Sequence, residues 1–394
     1  MSAHLFVFGR SHELSFHELH TFVPNPIIRI LPDVAQVDNL QAEIDPKQVI
    51  NQLGGTVKIA RVKGSIEAIT PEAIAGFLDG QDGSETFGVS LYGSQETIDT
   101  GLLKSIKEIL LAKGIRARYV AAHEDQILTS VVITKQHVHE LIIVAAGQGF
   151  IVGETVAVQD FETWSERDYG RPFADPKSGM LPPKVARMAV NIAGESPPKA
   201  DQPLAGKVLV DPFCGMGTIV GEALLAGWNV IGSDQSAEVV EKAKKNLAWL
   251  ASQGSTLRGD KVVPYEFLVS DATHISKIIP EASVDAIVTE PFMGSTEIQL
   301  KVHNGKFSMQ EIKNTIKGLE KLYIGCLRDW QNVLKSGGKV VIALPQYAIS
   351  GRTYFVKNVI DRCENLGYTV SAGPLTYSRP QAVVRRQFYV LTKK

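Results

Sequence analysis

The sequence predicts a two-part α/β protein, in which an α+β domain precedes a doubly wound parallel sheet with an antiparallel edge hairpin. Residues 1–165 mix short strand-like runs with helical segments, an order that is typical of α+β domains. In residues 166–394, continuous apolar strand runs alternate with helical patterns, as in parallel sheets that are covered on both faces. The length of 394 residues suits two domains.

In the first part, one helix has a clear signal. Leu102–Lys113 places apolar residues at helical spacing, and Gly114 follows as a C-terminal cap. Short apolar runs predict the strands. These runs are HLFVFG, TVKIARV, TFGVSLYG, SVVITK, ELIIVAA and TVAVQD.

The second part begins with the segment LPPKVARMAVNIAG, which predicts a helix with prolines in its first turn and Gly194 as its end. A polar, proline-rich connection follows at residues 195–206. Strands and helices then alternate, and the last two strand runs lie close enough to pair as a hairpin. The predicted strands are KVLVDPF, NVIGSD, YEFLVSD, DAIVTEPF, KVVIALP, YTVSAGPLTY and RRQFYVLT, and the predicted helices are Gly217–Ala226, Ala237–Ser252 and Met309–Leu334.

Composition excludes several classes of protein. Three widely spaced cysteines argue against a disulfide framework and a zinc cluster. The sequence has neither an apolar stretch long enough for a membrane nor a secretory leader, which favours the cytoplasm. The net charge is −1, but residues 1–165 hold 12 basic and 20 acidic residues and the remainder holds 29 and 22. This asymmetry is compatible with a polyanionic substrate over the second part or with chance.

The strongest chemical signal is VLVDPFCGMGTIV at Val208–Val220, where a strand leads through an acid and a glycine-spaced turn into a helix. Gly215 and Gly217 permit a tight turn, and the helix N-terminus offers free N–H groups to a ligand. An ordinary strand-to-helix turn would share these features. The strands that follow therefore decide between the two interpretations.

Acidic residues end the next predicted strands as well. Asp234 ends the second strand, where it suits ribose hydroxyls, and Asp271 ends the third, where it suits an adenine amino group. Each aspartate could instead cap the following helix. Together with Asp211 and Glu290, however, they should surround the crevice where open α/β sheets bind ligands.

The acid before the glycine turn favours a positively charged nucleoside. The sequence lacks the Gly-Lys-Ser/Thr of a P-loop and the third glycine of a dinucleotide fold. A leading carboxylate repels phosphate and attracts a cation. S-adenosylmethionine, which joins an adenosine to a sulfonium, fits this arrangement.

These motifs carry a family resemblance. DPFCGMGT resembles the first motif of class I (Rossmann-like) S-adenosylmethionine-dependent methyltransferases that methylate amino groups. Arg167–Ala193, the opening FGRSHELSFHEL and the closing YSRP…VVRR are similar to the tRNA guanine-10 N2-methyltransferase family. The resemblance is specific over residues 165–394 and looser before them. It implies a THUMP-like RNA-binding domain in residues 1–165 and a class I methyltransferase domain in residues 166–394.

The resemblance also implies the site residues. In this family, Asp-Pro-Pro-Tyr binds the acceptor amine, and this chain has Glu290-Pro291-Phe292-Met293 there. Glu290, Pro291 and Phe292 are therefore the expected catalytic residues. The expected cofactor-binding residues are Asp211, Pro212, Phe213, Gly215, Gly217, Thr218, Asp234, Gln235, Asp271, Ala272, Pro172 and Leu181.

A carboxylate and the Pro291 carbonyl would accept hydrogen bonds from an exocyclic amine and orient it toward the activated methyl group. An aromatic ring beside them would stack on a base swung out of its helix. The departure from the family motif leaves three readings. Phe292 enters the site through a different loop, the pocket takes a different base, or activity is lost.

Three functions remain open at this stage. They are N2-methylation of guanine in tRNA, methylation of adenine N6 or cytosine N4 in DNA, and RNA binding without catalysis. tRNA or another structured RNA is the expected partner, with no metal and no membrane. The sequence does not decide whether an accessory protein or a homodimer forms, which nucleotide is modified, or how many methyl groups it receives.

Two groups of arginines were open to more than one interpretation. Arg167, Asp168 and Arg171 are expected to form either an ion-pair cluster at the cofactor mouth or a solvated surface group. Arg379, Arg385 and Arg386 are expected to contact phosphates or to face solvent. Cys214 is expected to pack as a small buried residue.

Overall fold

The computed structural model describes residues 3–40, 45–78, 84–123, 125–175, 180–194, 206–253, 264–295, 308–349, 351–379, 382 and 384–394. The chain forms two compact units. The first contains Met1–His12 and Pro24–Thr163, and the second contains Glu13–Val23 and Trp164–Lys394. The second unit therefore includes a segment from the beginning of the chain. The contiguous division at residue 165 and the THUMP assignment of the first part stay predictions.

The first unit is built on a mixed sheet of eight strands in the order β2-β3-β1-β4-β8-β7-β5-β6. Strand β5 is parallel to β6 and β7, and the other neighbouring pairs are antiparallel. The strands are β1 His4–Phe8, β2 Ile27–Leu31, β3 Val34–Val37, β4 Thr56–Ile66, β5 Ser84–Tyr92, β6 Arg116–Tyr119, β7 His139–Ala146 and β8 Gly149–Val158. Its helices are α2 Pro46–Gln52, α3 Pro71–Ala75, α4 Thr100–Ala112 and α5 Ser130–Gln136.

One predicted strand of this unit is wrong. The run SVVITK forms helix α5, which begins after Thr129, whose side chain accepts the amide N–H of Val132, and ends at His137 in the left-handed conformation. The capping bonds at both ends outweigh the strand propensity of its β-branched residues. The predicted helix at Leu102–Lys113 is confirmed as α4, and Gly114 follows it with φ +81°.

The second unit contains a sheet in the order β11-β10-β9-β12-β13-β16-β15. Its first five strands are parallel, and β16 pairs antiparallel with both β13 and β15. The strands are β9 Val208–Asp211, β10 Asn229–Asp234, β11 Tyr265–Val269, β12 Val284–Thr289, β13 Leu334–Ile349, β14 Arg352–Phe355, β15 Tyr368–Tyr377 and β16 Val384–Lys393. This order confirms the predicted doubly wound sheet with an antiparallel edge hairpin.

Helices accompany this sheet. They are α6 Phe161–Tyr169, whose residues from Trp164 onward belong to this unit, α7 Pro183–Ala193, α8 Thr218–Leu225, α9 Ala237–Ser252, α10 Met309–Val333 and α11 Lys357–Asp361. Four of those described, α7 to α10, lie at predicted places, whereas α6 and α11 were not predicted. Two short 3-10 helices span Ala272–Lys277 and Glu364–Leu366. Most of the connection predicted at residues 195–206 lies outside the described residues. Among the described helices, none has the length and apolar character needed to cross a bilayer.

Helix α1 (His12–Phe22) is the N-terminal segment of the second unit. Leu14 is fully buried in the core around α7, and Ser15 Oγ lies 3.6 Å from Met188 Sδ. The amide of Asn191 donates a 2.7 Å hydrogen bond to Glu18. Helix α1, which precedes most of the first unit in sequence, therefore contributes to the core of the second unit, where the candidate site lies.

Candidate active site

The carboxyl ends of β9, β10, β11 and β12 surround one cleft of about 1260 Å³ in the second unit. Its wall contains thirteen of the fifteen residues predicted from the sequence. They are Leu181, Asp211, Pro212, Phe213, Gly215, Thr218, Asp234, Gln235, Asp271, Ala272, Glu290, Pro291 and Phe292. Gly217 and Pro172 are not among the described residues that line the cleft. The four acids expected around one crevice are thus gathered there.

The two exceptions have different surroundings. Gly217 is the N-cap of α8 with φ +83°, and a Cβ added to it would lie 3.1 Å from Leu247 Cδ1. Its lack of a side chain therefore permits close packing between α8 and α9. Pro172 is exposed to solvent.

The turn between β9 and α8 is fixed by hydrogen bonds. The amide N–H of Cys214 donates to the Ser233 carbonyl at 2.8 Å, and that of Gly215 donates to Asp234 Oδ2 at 3.3 Å. Gly215 has φ +49°, and the nearest described atom to an added Cβ is the Phe213 oxygen at 4.0 Å. The backbone at Gly215 is therefore open to a ligand. Cys214 is buried, as expected.

Asp211 lies beneath this turn and is buried. Its Oδ1 accepts hydrogen bonds from Thr289 Oγ1 at 2.7 Å and from the Phe213 N–H at 3.2 Å. Burial, together with the nearby carboxylates of Asp234 and Glu290, raises the pKa of Asp211 to about 7, and the two hydrogen bonds oppose the increase. A positively charged ligand in the cleft would favour the ionised form.

Asp234 and Asp271 both line the cleft, and both also hold local backbone. Asp234 Oδ1 accepts the Ser236 N–H at 3.0 Å. Asp271 accepts the N–H and hydroxyl of Thr273, each at 2.8 Å, and is the N-cap of the 3-10 helix Ala272–Lys277. The Thr273 N–H lowers the pKa of Asp271. Capping and lining the cleft are thus compatible roles.

The loop after β12 exposes its aromatic ring. Phe292 is 55% exposed and lines the cleft, whereas Pro291 and Met293 are buried. The hydroxyls of Tyr323 and Tyr347 donate hydrogen bonds to the carbonyls of Phe292 and Met293, at 2.6 and 2.5 Å. Phe292 thus lies where the first of the three readings of this motif expects it, and the choice among the readings stays a prediction.

Glu290 forms an ion pair with Arg386 on β16, through Oε1 and Nε. Both side chains are largely buried, at 18% and 10% exposure. The sequence did not identify this pair, because the two residues are 96 positions apart and Arg386 was expected to face phosphate or solvent. Tyr323, Tyr347 and Thr289 were missed for the same reason, since their partners are distant in sequence.

The arginines before α7 form a half-buried ion-pair cluster rather than a solvated group. Arg171 donates a 2.7 Å hydrogen bond to Thr218 Oγ1 at the start of α8 and pairs with Asp168. Arg167 stacks on Trp164, with the guanidinium 3.8 Å from the ring centroid, and pairs with Glu222 at 3.4 Å. The cluster supports the helix that begins at the cleft.

This region is similar in sequence to the methyltransferase domains of known proteins. Residues 169–297 match the family model described as UPF0020, RMKL-like, methyltransferase domain. The tRNA (guanine(10)-N2)-dimethyltransferase of Methanothermobacter thermautotrophicus is 32% identical over 50% of this chain and 48% of its own length. The protein of the same name from Pyrococcus abyssi is 28% identical over 56% and 52%. This chain spans about half the length of these curated relatives.

Among solved structures, TrmN from Thermus thermophilus aligns over 100% of both chains, with a TM-score of 0.55 and 18% identity. At that identity, the likeness shows the fold alone. The class I methyltransferase fold and the resemblance to tRNA guanine N2-methyltransferases, both predicted from the motifs, are confirmed. A THUMP domain in the first unit stays a prediction.

Proposed function

We propose that this protein methylates an exocyclic amino group of RNA, specifically N2 of a guanine in tRNA, with S-adenosylmethionine as the methyl donor. One observation carries the proposal. A single cleft brings Asp211, Asp234 and Asp271 together with the loop Glu290–Phe292. The names of the two archaeal relatives support the tRNA substrate and the guanine N2 position.

The wall of the cleft fits S-adenosylmethionine. The open backbone at Gly215 leaves room for the ligand to approach the turn. Asp234 at the end of β10 accepts the ribose hydroxyls, and Asp271 accepts the adenine amino group. The negative charge of Asp211 and its neighbours favours a cation over a phosphate. When bound, this cofactor supplies a methyl group that its sulfonium has already activated.

The loop after β12 binds the acceptor base. Glu290 and the Pro291 carbonyl accept hydrogen bonds from the exocyclic amine, which orients its nitrogen and disperses the positive charge that develops on it. Phe292 stacks on the base after it leaves its helix. Because the loop carbonyls are held by two buried tyrosines, the amine is positioned without reorganisation of the loop.

The remaining parts of the proposal concern partners and compartment. Residues 1–165 position a structured RNA as a THUMP-like module, and residues 166–394 deliver the methyl group. The first part is acidic and the second basic, so most phosphate contacts should come from the second part. The protein acts in the cytoplasm, where tRNA is available.

Labelled S-adenosylmethionine incubated with total tRNA, followed by nucleoside analysis, tests this function. We expect label in N2-methylated guanosine, and its loss in Glu290→Gln. Glu364, which is 84% exposed, provides a matched control, and Glu364→Gln should behave as the unmodified protein. In a parallel incubation with DNA, label in adenine N6 or cytosine N4 would contradict the RNA assignment. Cofactor binding with no transfer to any nucleic acid would indicate a non-catalytic protein.

A further inference from the structure

Arg386 is the cationic partner of the acid in the candidate acceptor loop. Its Nε contacts Glu290 Oε1, and its guanidinium carbon lies 5.8 Å from the ring centroid of Tyr377. The backbone of Arg386 lies between two strands, opposite Pro345 on β13 and Tyr377 on β15. Its side chain is 10% exposed and starts from a residue that is paired on both sides in the sheet.

Burial and the neighbouring arginines shift the pKa of Glu290 in opposite directions. Burial raises the pKa of this carboxyl, and Arg386 lowers it most among the surrounding groups, followed by Arg379 and the Leu181 backbone N–H. The carboxyl of Asp211 is also close enough to interact with Glu290. An ionised glutamate in this place therefore depends on its arginine partner.

The ionisation state decides what Glu290 can do. An ionised carboxylate only accepts hydrogen bonds, whereas a protonated carboxyl offers a donor that competes with an amine. An amine that must be oriented by acceptors requires the ionised form. Arg386 supplies it and also fixes the direction of the carboxylate.

We infer that Arg386 is a positioning residue that keeps Glu290 ionised and oriented toward the acceptor amine, an inference that rests on the proposed function. It also accounts for the glutamate at this place. An aspartate would withdraw the carboxylate from β16 by roughly 1.5 Å, the length of one carbon–carbon bond, and would break the contact with Arg386.

The test compares the pH dependence of methylation in Arg386→Gln, Arg386→Lys and Arg385→Gln. Arg385 is exposed on the neighbouring position of β16 and is the matched control. In Arg386→Gln we expect activity at neutral pH to fall and the acid limb of the profile to move up by roughly one pH unit or more. Activity should partly recover as pH rises, because Glu290 then ionises. Arg386→Lys and Arg385→Gln should keep the original limb.

A second readout does not depend on activity. Infrared difference spectra between Arg386→Gln and the Arg386→Gln/Glu290→Gln double variant report whether Glu290 carries a proton. We expect a protonated carboxyl at neutral pH. Glu290 that is ionised at pH 7 without Arg386, or a pH-independent loss of activity, would overturn the inference. If the unmodified protein methylates no tRNA, the proposed function fails, and the spectra still decide whether Arg386 controls Glu290.

Discussion

The hydroxyl of Tyr323 on α10 donates a 2.6 Å hydrogen bond to the backbone carbonyl of Phe292. Tyr323 is fully buried, while the Phe292 ring is exposed at the cleft. A buried helix therefore fixes the backbone of a residue whose side chain faces solvent. The backbone that carries the ring is thus held by a contact that does not involve the ring.

Tyr323→Phe should lower the kcat of methylation beyond what its loss of folding stability explains. Removal of the hydroxyl leaves the Phe292 carbonyl without this donor, at a cost of about 1–3 kcal/mol, and loosens the loop that orients the amine. Kinetics with tRNA and denaturant unfolding measure the two effects. Tyr368 is also fully buried and donates to the Leu327 carbonyl at 2.8 Å, away from the loop. Tyr368→Phe should lower stability by a similar amount and leave kcat unchanged, and equal kinetic losses would contradict a positioning role for Tyr323.

Affinity for S-adenosylmethionine should rise with pH through about 7. Burial raises the pKa of Asp211 to about 7, so its negative charge appears only as pH passes that value and then attracts the sulfonium. Calorimetric titration across pH 6–8 measures the effect. S-adenosylhomocysteine, which has the same amino-acid tail and no sulfonium charge, is the control and should show a smaller dependence. In Asp211→Asn, the affinities for the two ligands should no longer differ in their dependence on pH.

The same carboxyl has a consequence for folding. The unfolded chain releases this proton near pH 3.8 and the folded chain near 7. Between these values the folded state binds more protons, so stability from this group falls as pH rises through that window and levels off above 7. The free energy of unfolding of Asp211→Asn, measured with denaturant across this pH window, should lack the contribution of this group. If the pH dependence of stability is the same in Asp211→Asn as in the unmodified protein, Asp211 does not change protonation in this pH window on folding.

Much of the second unit could be predicted from sequence, because its signals are local. Continuous apolar runs identify the strands, and Gly215 and Gly217 identify the turn after β9. The ion pair of Glu290 with Arg386 could not be predicted, since it depends on how β16 enters the sheet. Helix α5 was missed because its apolar run satisfies strand and helix patterns equally, and only the Thr129 cap distinguishes them.

Substitution at two glycines should separate ligand binding from stability. At Gly215 the nearest described atom to an added Cβ is 4.0 Å away and φ is +49°, so Gly215→Ala should cost only the strain of a left-handed backbone and should weaken cofactor binding by filling the open side of the turn. At Gly217 the Cβ would contact Leu247 Cδ1 at 3.1 Å with φ +83°, so Gly217→Ala should lower stability further. Gly227 has φ +91° and no described atom within 4 Å of an added Cβ, and Gly227→Ala measures the backbone strain alone. A lower free energy of unfolding for Gly215→Ala than for Gly217→Ala would contradict these roles of the two glycines.

Leu14→Ala should destabilise the unit that contains the cleft, although Leu14 precedes most of the other unit in sequence. Leu14 is fully buried in the core around α7, and removal of a buried leucine costs about 2–5 kcal/mol. Leu103 is 1% exposed in the core of the first unit and is the matched control. Thermal unfolding with and without S-adenosylmethionine identifies the ligand-stabilised transition, because a ligand stabilises the unit that binds it. That transition should move in Leu14→Ala and stay in place in Leu103→Ala. A ligand-stabilised transition that stays in place in Leu14→Ala as well would assign α1 to the first unit. Removal of residues 1–165 would then be a clean test of RNA binding, which the grouping of α1 with the second unit prevents.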